Sequence, residues 1–319
     1  MNDRLPPLTA LRAFEAAARH MSFAKAAAEL NVTPAALSYQ IKSLEADLGQ
    51  PVFRRLNRAV ELTEAGRALA PGTTDAFAAL SAAWRKTRRM TDSGVLTVTA
   101  GPAFTSKWLA PRLYAFAQAH PDIELRFNAS LRIADFDRDE VDVAIRFGLG
   151  TDKDVHSVDL SNEWITPMMS PTVAAEIKTS ADLAQATLIH DDSMASFRMS
   201  ADWTAWCAVE GIEVDTTHGP RFSQADHALD AAIAGAGVVL GRILLASRDL
   251  EAGRLVAPFA LGLVPTSQFR FVCPKGTEDR PQIKAFYDWV VAEIAMADRF
   301  EAGRRLVHTS DIVVEDDPN

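Results

Sequence analysis

The sequence predicts an α/β chain that opens with a helical, winged N-terminal segment, and three observations carry the prediction. Residues 24–45 read as two short helices joined by a tight turn. An alanine-rich amphipathic stretch runs from Thr63 to about Arg89. From Val95 onward, strand-like apolar runs alternate with helical patterns, which implies a mainly parallel sheet flanked by helices. The expected division is a helical and winged segment at 1–63, a long helix at 64–92, an α/β region at 93–302 and a polar, unstructured tail at 303–319.

A first helix is expected over 8–18, with Leu8, Leu11 and Phe14 facing a small core. In the hairpin that follows, Phe23, Ala26, Ala27 and Leu30 recur at helical spacing, and Asn31 and Val32 interrupt the pattern. Thr33 is then a good N-cap, and Pro34 stands where a first turn tolerates proline, because its missing N–H has no intrahelical partner there. Leu37, Ile41, Leu44 and Leu48 form one buried stripe, leaving Thr33, Ala35, Ser38, Tyr39 and Lys42 off it. A DNA-recognition helix needs this layout: early turns free to meet base edges, and an apolar face holding it to its supporting helix. A plain amphipathic hairpin has the same stripe.

Residues 51–62 read as two short strands with a turn at Asn57, a wing that projects Arg54, Arg55 and Arg58 toward phosphates or the minor groove. A solvated charged hairpin is the alternative. Phe77, Leu80 and Trp84 give the long helix an apolar seam with no core of its own, the pattern of a helix that packs on its twin. Pro71 is expected to kink or interrupt it. Arg85, Lys86, Arg88 and Arg89 read as a solvated helix end favoured by the macrodipole. The net charge of −9 divides unevenly: residues 1–92 carry 13 Lys and Arg against 9 Asp and Glu, while the remainder carries 20 against 33. The basic excess lies with the helical hairpin.

In the α/β region the expected strands are 95–99, 123–127, 141–146, 164–169, 187–190, 237–240 and 268–273. Helices are expected from about Thr105 to Ala119, from Asp202 to Glu210, and from about Arg280 to Ala297, the last burying Ile283, Phe286, Trp289, Val290 and Ile294. Ligands of open α/β sheets bind beyond the carboxyl ends of the strands. Thr105 and Ser106 then fall at a helix N-terminus, where free N–H groups and the dipole attract an anion such as a carboxylate, or where they simply cap the helix. Gly235-Ala236-Gly237 precedes a strand instead of following one, the wrong order for a dinucleotide loop, and no phosphate loop, paired-cysteine motif or nucleophile elbow is present, so an enzyme is not expected.

Several motifs in fixed order give the chain a family resemblance. They are Leu8-Thr9-Ala10-Leu11-Arg12-Ala13-Phe14-Glu15-Ala16, Ser22-Phe23-Ala24-Lys25-Ala26-Ala27, Thr33-Pro34-Ala35-Ala36-Leu37-Ser38-Tyr39-Gln40-Ile41, Leu44-Glu45-Ala46-Asp47-Leu48-Gly49, Phe53-Arg54-Arg55 and Leu62-Thr63-Glu64-Ala65-Gly66. Residues 5–66 resemble the winged helix-turn-helix of LysR-type transcriptional regulators, and the Leu-Pro-Pro-Leu start and Ser-Tyr-Gln-Ile segment resemble the glycine-cleavage-activator-like branch. The resemblance implies DNA contact by Ser22, Thr33, Pro34, Ala36, Ser38, Tyr39, Lys42, Arg54, Arg55 and Arg58. It implies a linker helix that dimerises, then a two-lobed effector domain similar to periplasmic binding proteins. Lobe I would span about 93–163 and 267–302, and lobe II about 164–266, with the chain crossing near Asn162 to Thr166 and returning near Pro265 to Phe269.

In that domain Pro102, Ala103, Phe104, Thr105 and Ser106 would line the effector cleft, with Arg146 and Phe147 after another strand and Phe222, Ser223 and His227 from the opposite lobe. Their chemistry favours an anionic or zwitterionic metabolite such as an amino acid or carboxylate. His190, Asp191 and Asp192 face the same region, read as surface acidic residues ahead of a metal site; neither metal nor cofactor is expected. The implied partners are double-stranded DNA carrying an interrupted dyad operator, further copies of the chain in a dimer of dimers, and RNA polymerase.

Two other readings compete. Cys207 and Cys273, if exposed with depressed pKa, would make the regulator a redox sensor, although Cys273 in its apolar strand reads as a buried small hydrophobe. A solute-binding protein in the cytoplasm is the rival from a different class. No apolar leader or bilayer-length run appears, so a cytoplasmic protein is expected.

Overall fold

The computed structural model describes residues 5–55, 60–91, 94–136, 138–150, 155–194 and 201–312. It contains two compact units, Met1–Thr91 and Asp92–Asn319.

In the first unit, helices α1 (Leu8–His20), α2 (Phe23–Glu29) and α3 (Pro34–Leu48) enclose a core of Leu11, Phe14, Ala26, Ala27, Leu37, Ile41 and Leu44. Leu8 is 60% exposed and Leu48 is also exposed, so both expected stripes overrun the core: each lies at the far end of its helix, beyond the partner's reach. Asn31 adopts φ 54, and Asn31 and Val32 donate back to the Ala28 and Ala27 carbonyls, which turns the chain sharply between α2 and α3. The wing strands β1 (Phe53–Arg55) and β2 (Val60–Leu62) pair antiparallel, with Arg55 opposite Val60. Glu45 accepts from the backbone N–H groups of Val52 at 3.0 Å and Phe53 at 3.3 Å, fastening the wing to α3. Asn57 and Arg58 lie outside the described residues.

Helix α4 (Glu64–Thr91) begins with Thr63 accepting from the Gly66 N–H at 3.1 Å. Gly66 has no alternative here, because a Cβ would run into the Val52 carbonyl oxygen. Pro71 does not interrupt α4, contrary to expectation. A single proline removes one N–H from the ladder, and the turn around it is pinned by the buried Thr73, whose hydroxyl donates to the Leu69 and Ala70 carbonyls at 3.1 and 2.9 Å. Phe77 packs on the core, whereas Leu80 and Trp84 are 54% and 69% exposed.

The second unit holds two mixed sheets. Strand β3 (Val95–Ala100) leads into one helical run that starts as α5 (Pro102–Phe104), widens to a π turn (Thr105–Leu109), tightens to a 3-10 turn (Ala110–Arg112) and ends as α6 (Leu113–Ala119). Strands β4 (Glu124–Ala129), β5 (Val143–Gly148) and β6 (Val155–Asp159) belong to the same sheet. The chain then crosses into β7 (Ile165–Met168), α7 (Pro171–Ala174), β8 (Leu188–Asp191), α8 (Trp203–Glu210), β9 (Arg221–Phe222), α9 (Ala225–Ile233), β10 (Val238–Arg242), α10 (Ile243–Glu251) and β11 (Leu261–Val264). It returns as β12 (Gln268–Pro274) and α11 (Pro281–Ala295), then crosses a third time into β13 (Arg305–His308).

The five-stranded order is β4-β3-β5-β12-β6, and the six-stranded order is β13-β11-β7-β10-β8-β9. Parallel pairing holds for β3–β4, β3–β5, β8–β9, β8–β10 and β11–β13, as expected, but both sheets are mixed. β5–β12, β12–β6, β7–β10 and β7–β11 are antiparallel, because the strands entering and leaving each crossing run against the βαβ strands beside them.

The tail also departs from expectation. Residues 305–308 extend the six-stranded sheet parallel to β11, and Arg304 donates to the carbonyls of Ala257 at 2.9 Å and Phe259. Residues 313–319 lie outside the described residues. One apolar core runs from Leu96, Val98 and Trp108 through Phe271 and Phe286 to Met168, Val239 and Leu244, joining the sheets; Trp289 is only partly buried at its edge.

Candidate DNA-reading surface and effector cleft

The N-terminal end of α3 is built for presentation. Thr33 caps it, accepting from the Ala36 N–H at 3.2 Å, and Leu37, Ile41 and Leu44 hold it down. Thr33, Pro34, Ala36 and Lys42 are exposed, Tyr39 is 72% exposed, and Ser38 is half-buried. Ser22 caps α2, accepting from the Lys25 N–H at 3.4 Å. Arg54 is exposed on the wing; the side chains of Arg55, Arg58 and the 85–89 basic cluster lie outside the described residues. Arg19 and His20 clamp Glu29 at 2.6 Å each, tying the end of α1 to that of α2. Hydrogen bonds from Arg19 foremost, then His20, hold the Glu29 carboxyl down at about 2.

In the second unit Thr105 and Ser106 do not stand at the helix N-terminus expected of them. The helical run starts at Pro102 with Gly101 as its cap, one turn before Thr105. The Thr105 N–H and hydroxyl both go to the Gly101 carbonyl, at 2.9 and 3.0 Å, and the Ser106 hydroxyl donates to Asp226 of α9 at 2.9 Å. Neither therefore offers free first-turn N–H groups. Lys107 reinforces that bridge through Asp230 at 2.6 Å and Asp249 at 3.6 Å. Ala103 and Phe104 are buried; Phe104 stacks on Trp108 and packs on Phe269, so it belongs to the core, while Pro102 is half-buried at the mouth of the run.

Arg146 and Phe147 part company, because successive strand residues face opposite sides of a sheet. Phe147 meets Phe269 and lies beneath the Arg242 guanidinium, 5.0 Å from the ring centroid. Arg146 turns to the other face, where it donates to the Thr99 hydroxyl and the Arg132 carbonyl, each at 3.1 Å. Phe222 is half-buried against the core, and Ser223 and His227 are exposed at the β9–α9 junction.

Arg242, which the sequence reading missed, is a charged residue of the six-stranded sheet whose guanidinium reaches Phe147 of the other. It is buried, pairs with Asp191 at 3.2 Å, donates to the Ser193 hydroxyl at 3.0 Å, and keeps a buried Nε–H with no partner among the described residues. The available signal was an arginine closing the apolar run Val238-Val239-Leu240-Gly241.

His190 is buried and donates its ring N–H to the His218 carbonyl at 3.0 Å. Among the described residues no group of His, Cys, Asp and Glu is arranged to hold a metal. Cys207 and Cys273 are both buried; burial pushes the Cys207 thiol up to about 11 and also raises Cys273. A redox thiolate needs the opposite of both conditions, which counts against the competing redox reading and agrees with Cys273 as a buried small hydrophobe.

A winged helix-turn-helix joined to a two-sheet α/β unit with a charged crevice defines a ligand-responsive transcription factor. Residues 8–67 match the family model described as a bacterial regulatory helix-turn-helix protein, lysR family, and residues 89–295 match the LysR substrate binding domain. The chain belongs to the LysR family of transcriptional regulators, which bind DNA through the helix-turn-helix and small-molecule effectors through the second domain. It is 42% identical over 299 residues to the glycine cleavage system transcriptional activator of Escherichia coli K12, covering 92% of this chain and 96% of that protein. The transcriptional activator AmpR of Citrobacter koseri is 35% identical over 285 residues, 89% of this chain and 97% of its own. Among solved structures, the effector domain of AmpR from Pseudomonas aeruginosa is similar over 65% of this chain and 99% of that one, at 30% identity and a TM-score of 0.53. These relatives are named as activators, not enzymes. Among the described residues no helix is long and apolar enough to cross a membrane.

Proposed function

We propose that the effector is a small anionic or zwitterionic metabolite seated between the two sheets against Arg242, and that its binding switches operator recognition by α3. The observation that carries this reading is the buried Nε–H of Arg242 above Phe147, which has no partner among the described residues. A carboxylate answers that donor, and Asp191 beside it answers an ammonium group, so an amino acid satisfies both. Ser106 and Asp226 form the neighbouring bridge between lobes, a contact whose breaking or tightening couples occupancy to lobe geometry.

On the DNA side, Thr33, Pro34, Ala36, Ser38, Tyr39 and Lys42 approach base edges, with Ser22, Arg54, Arg55 and Arg58 on the backbone. Exposed Leu80 and Trp84 on α4 form the seam for a second copy. A pair of such dimers then spans an interrupted dyad and presents itself to RNA polymerase. Oxidation of the cysteines has less behind it, since both are buried, and a solute-binding protein would have no use for the helix-turn-helix.

The test is a thermal-shift screen of the full chain against amino acids and small carboxylates. Ligands that bind only the folded state raise the melting temperature by mass action. The expected result is a shift that Arg242→Gln abolishes. No shift across the panel, together with one on mild oxidation that needs Cys207 or Cys273, would overturn the reading.

A further inference from the structure

We propose that the second unit carries another anion site, centred on Arg146 on the outer face of the five-stranded sheet and separate from the crevice at Arg242. A pocket of about 310 Å³ opens there, lined by Thr97, Thr99, Asn128, Ser130, Arg132 and Arg146 together with Arg138, Asp139 and Glu140, so that three arginines face two carboxylates. It lies under the connection between β4 and β5. The strand pleat puts it on the face opposite Phe147, so a ligand in it does not share the Arg242 site.

The chemistry points to an oxyanion. Arg146 has five N–H donors. Three are accepted, by the Ile145 carbonyl, the Thr99 hydroxyl and the Arg132 carbonyl, all neutral groups. Its Nε–H is buried and has no partner among the described residues, and no carboxylate among them pairs with it. Arg132, by contrast, is matched by Asp139 at 2.6 Å.

Sheet register sharpens the imbalance. Arg146 stands directly opposite Arg270 on β12, a like-charge cross-strand pair of the destabilising kind. The two guanidiniums turn apart, Arg146 toward Thr99 of β3 and Arg270 toward Ser157 of β6. Arg270 likewise keeps a buried Nε with no partner among the described residues. Burial, with the nearby Arg132 charge, lowers the Arg146 pKa, the signature of a cation lacking its counterion. Thr99 gives its O–H to the Asn128 carbonyl, so the hydroxyls of Thr97 and Ser130 and the Asn128 amide supply the remaining hydrogen bonds for a carboxylate or a phosphate monoester.

The experiment titrates the full chain with inorganic phosphate and, separately, with acetate, at constant ionic strength against chloride, and reads calorimetric binding and melting temperature. Saturable binding of phosphate, and of acetate in the Arg242→Gln background where the crevice no longer takes a carboxylate, is expected that Arg146→Gln weakens at least tenfold. Preference for phosphate assigns the phosphate-ester class, and preference for acetate the carboxylate class. Asn128→Asp guards against a folding defect in Arg146→Gln. It places a carboxylate in the pocket, so it should raise the melting temperature and abolish this binding of both probes. Such binding that survives Arg146→Gln and Asn128→Asp, or that is lost in Arg242→Gln, would overturn the proposal. So would an absence of saturable binding to either probe.

Discussion

Glu163 gives the sharpest stability prediction. It lies where the chain first crosses between the sheets, is fully buried, and accepts from the Leu244 N–H at the start of α10 at 3.1 Å. Its second oxygen is buried without a partner among the described residues. Burial pushes the carboxyl up to about 7, against the pull of the α10 amides and Arg242. An ordinary glutamate titrates near 4.5. At about 1.4 kcal/mol per pH unit, that gap is worth about 3 kcal/mol. The folded chain binds the proton more tightly than the unfolded chain. The stabilisation is therefore complete below pH 4.5 and is lost as pH rises through about 7. Glu163→Gln mimics the neutral acid and removes the titration. Thermal midpoints of wild type and Glu163→Gln, measured from pH 5 to 8.5, should diverge as pH rises, with the variant ahead by up to about 3 kcal/mol at the alkaline end. Parallel curves, or a variant that falls behind at high pH, would refute the argument.

Other expectations follow from individual contacts. Thr33→Ala removes the α3 cap and should cost about 1 kcal/mol in the first unit while weakening DNA binding, read by melting and by gel shift. Trp84→Ala with Leu80→Ala should shift the chain toward smaller assemblies in sedimentation velocity, without unfolding either unit. Deleting residues 304–319 removes β13 and the Arg304 contacts, so the second unit should melt earlier; an unchanged midpoint would mean that the strand contributes no stability. Arg58→Ala should weaken binding to all duplexes alike and lower the salt slope by about 1, whereas a change in base preference would assign it a different role.

The helix-turn-helix was legible because its determinants are local: Thr33, Pro34 and the Leu37-Ile41-Leu44 stripe all act within one or two turns. The start of the helical run after β3 was misplaced by one turn although Pro102 carried the signal, since proline favours the first helical position after a cap such as Gly101. That error placed Thr105 and Ser106 at a dipole they do not face. Strand direction, the third crossing and β13 depend on pairings between distant segments, such as Leu261 with Arg305, which periodicity cannot encode. Arg242 was missed for the same reason: its partners Asp191 and Ser193 lie about fifty residues away in sequence, and Phe147 farther still. Pairing Arg146 with Phe147 ignored the pleat that sends neighbours to opposite faces.

The most direct test of the central claim couples the two units. A duplex library is selected on the full chain to obtain its preferred site. The amino acids and small carboxylates of the thermal screen are then titrated into the complex while the end-to-end distance of the labelled duplex is followed. The expected result is an interrupted dyad whose bend changes with ligand in the wild type but not in Arg242→Gln. A bend that no ligand moves, or one that moves equally in both proteins, would contradict an effector switch seated at Arg242.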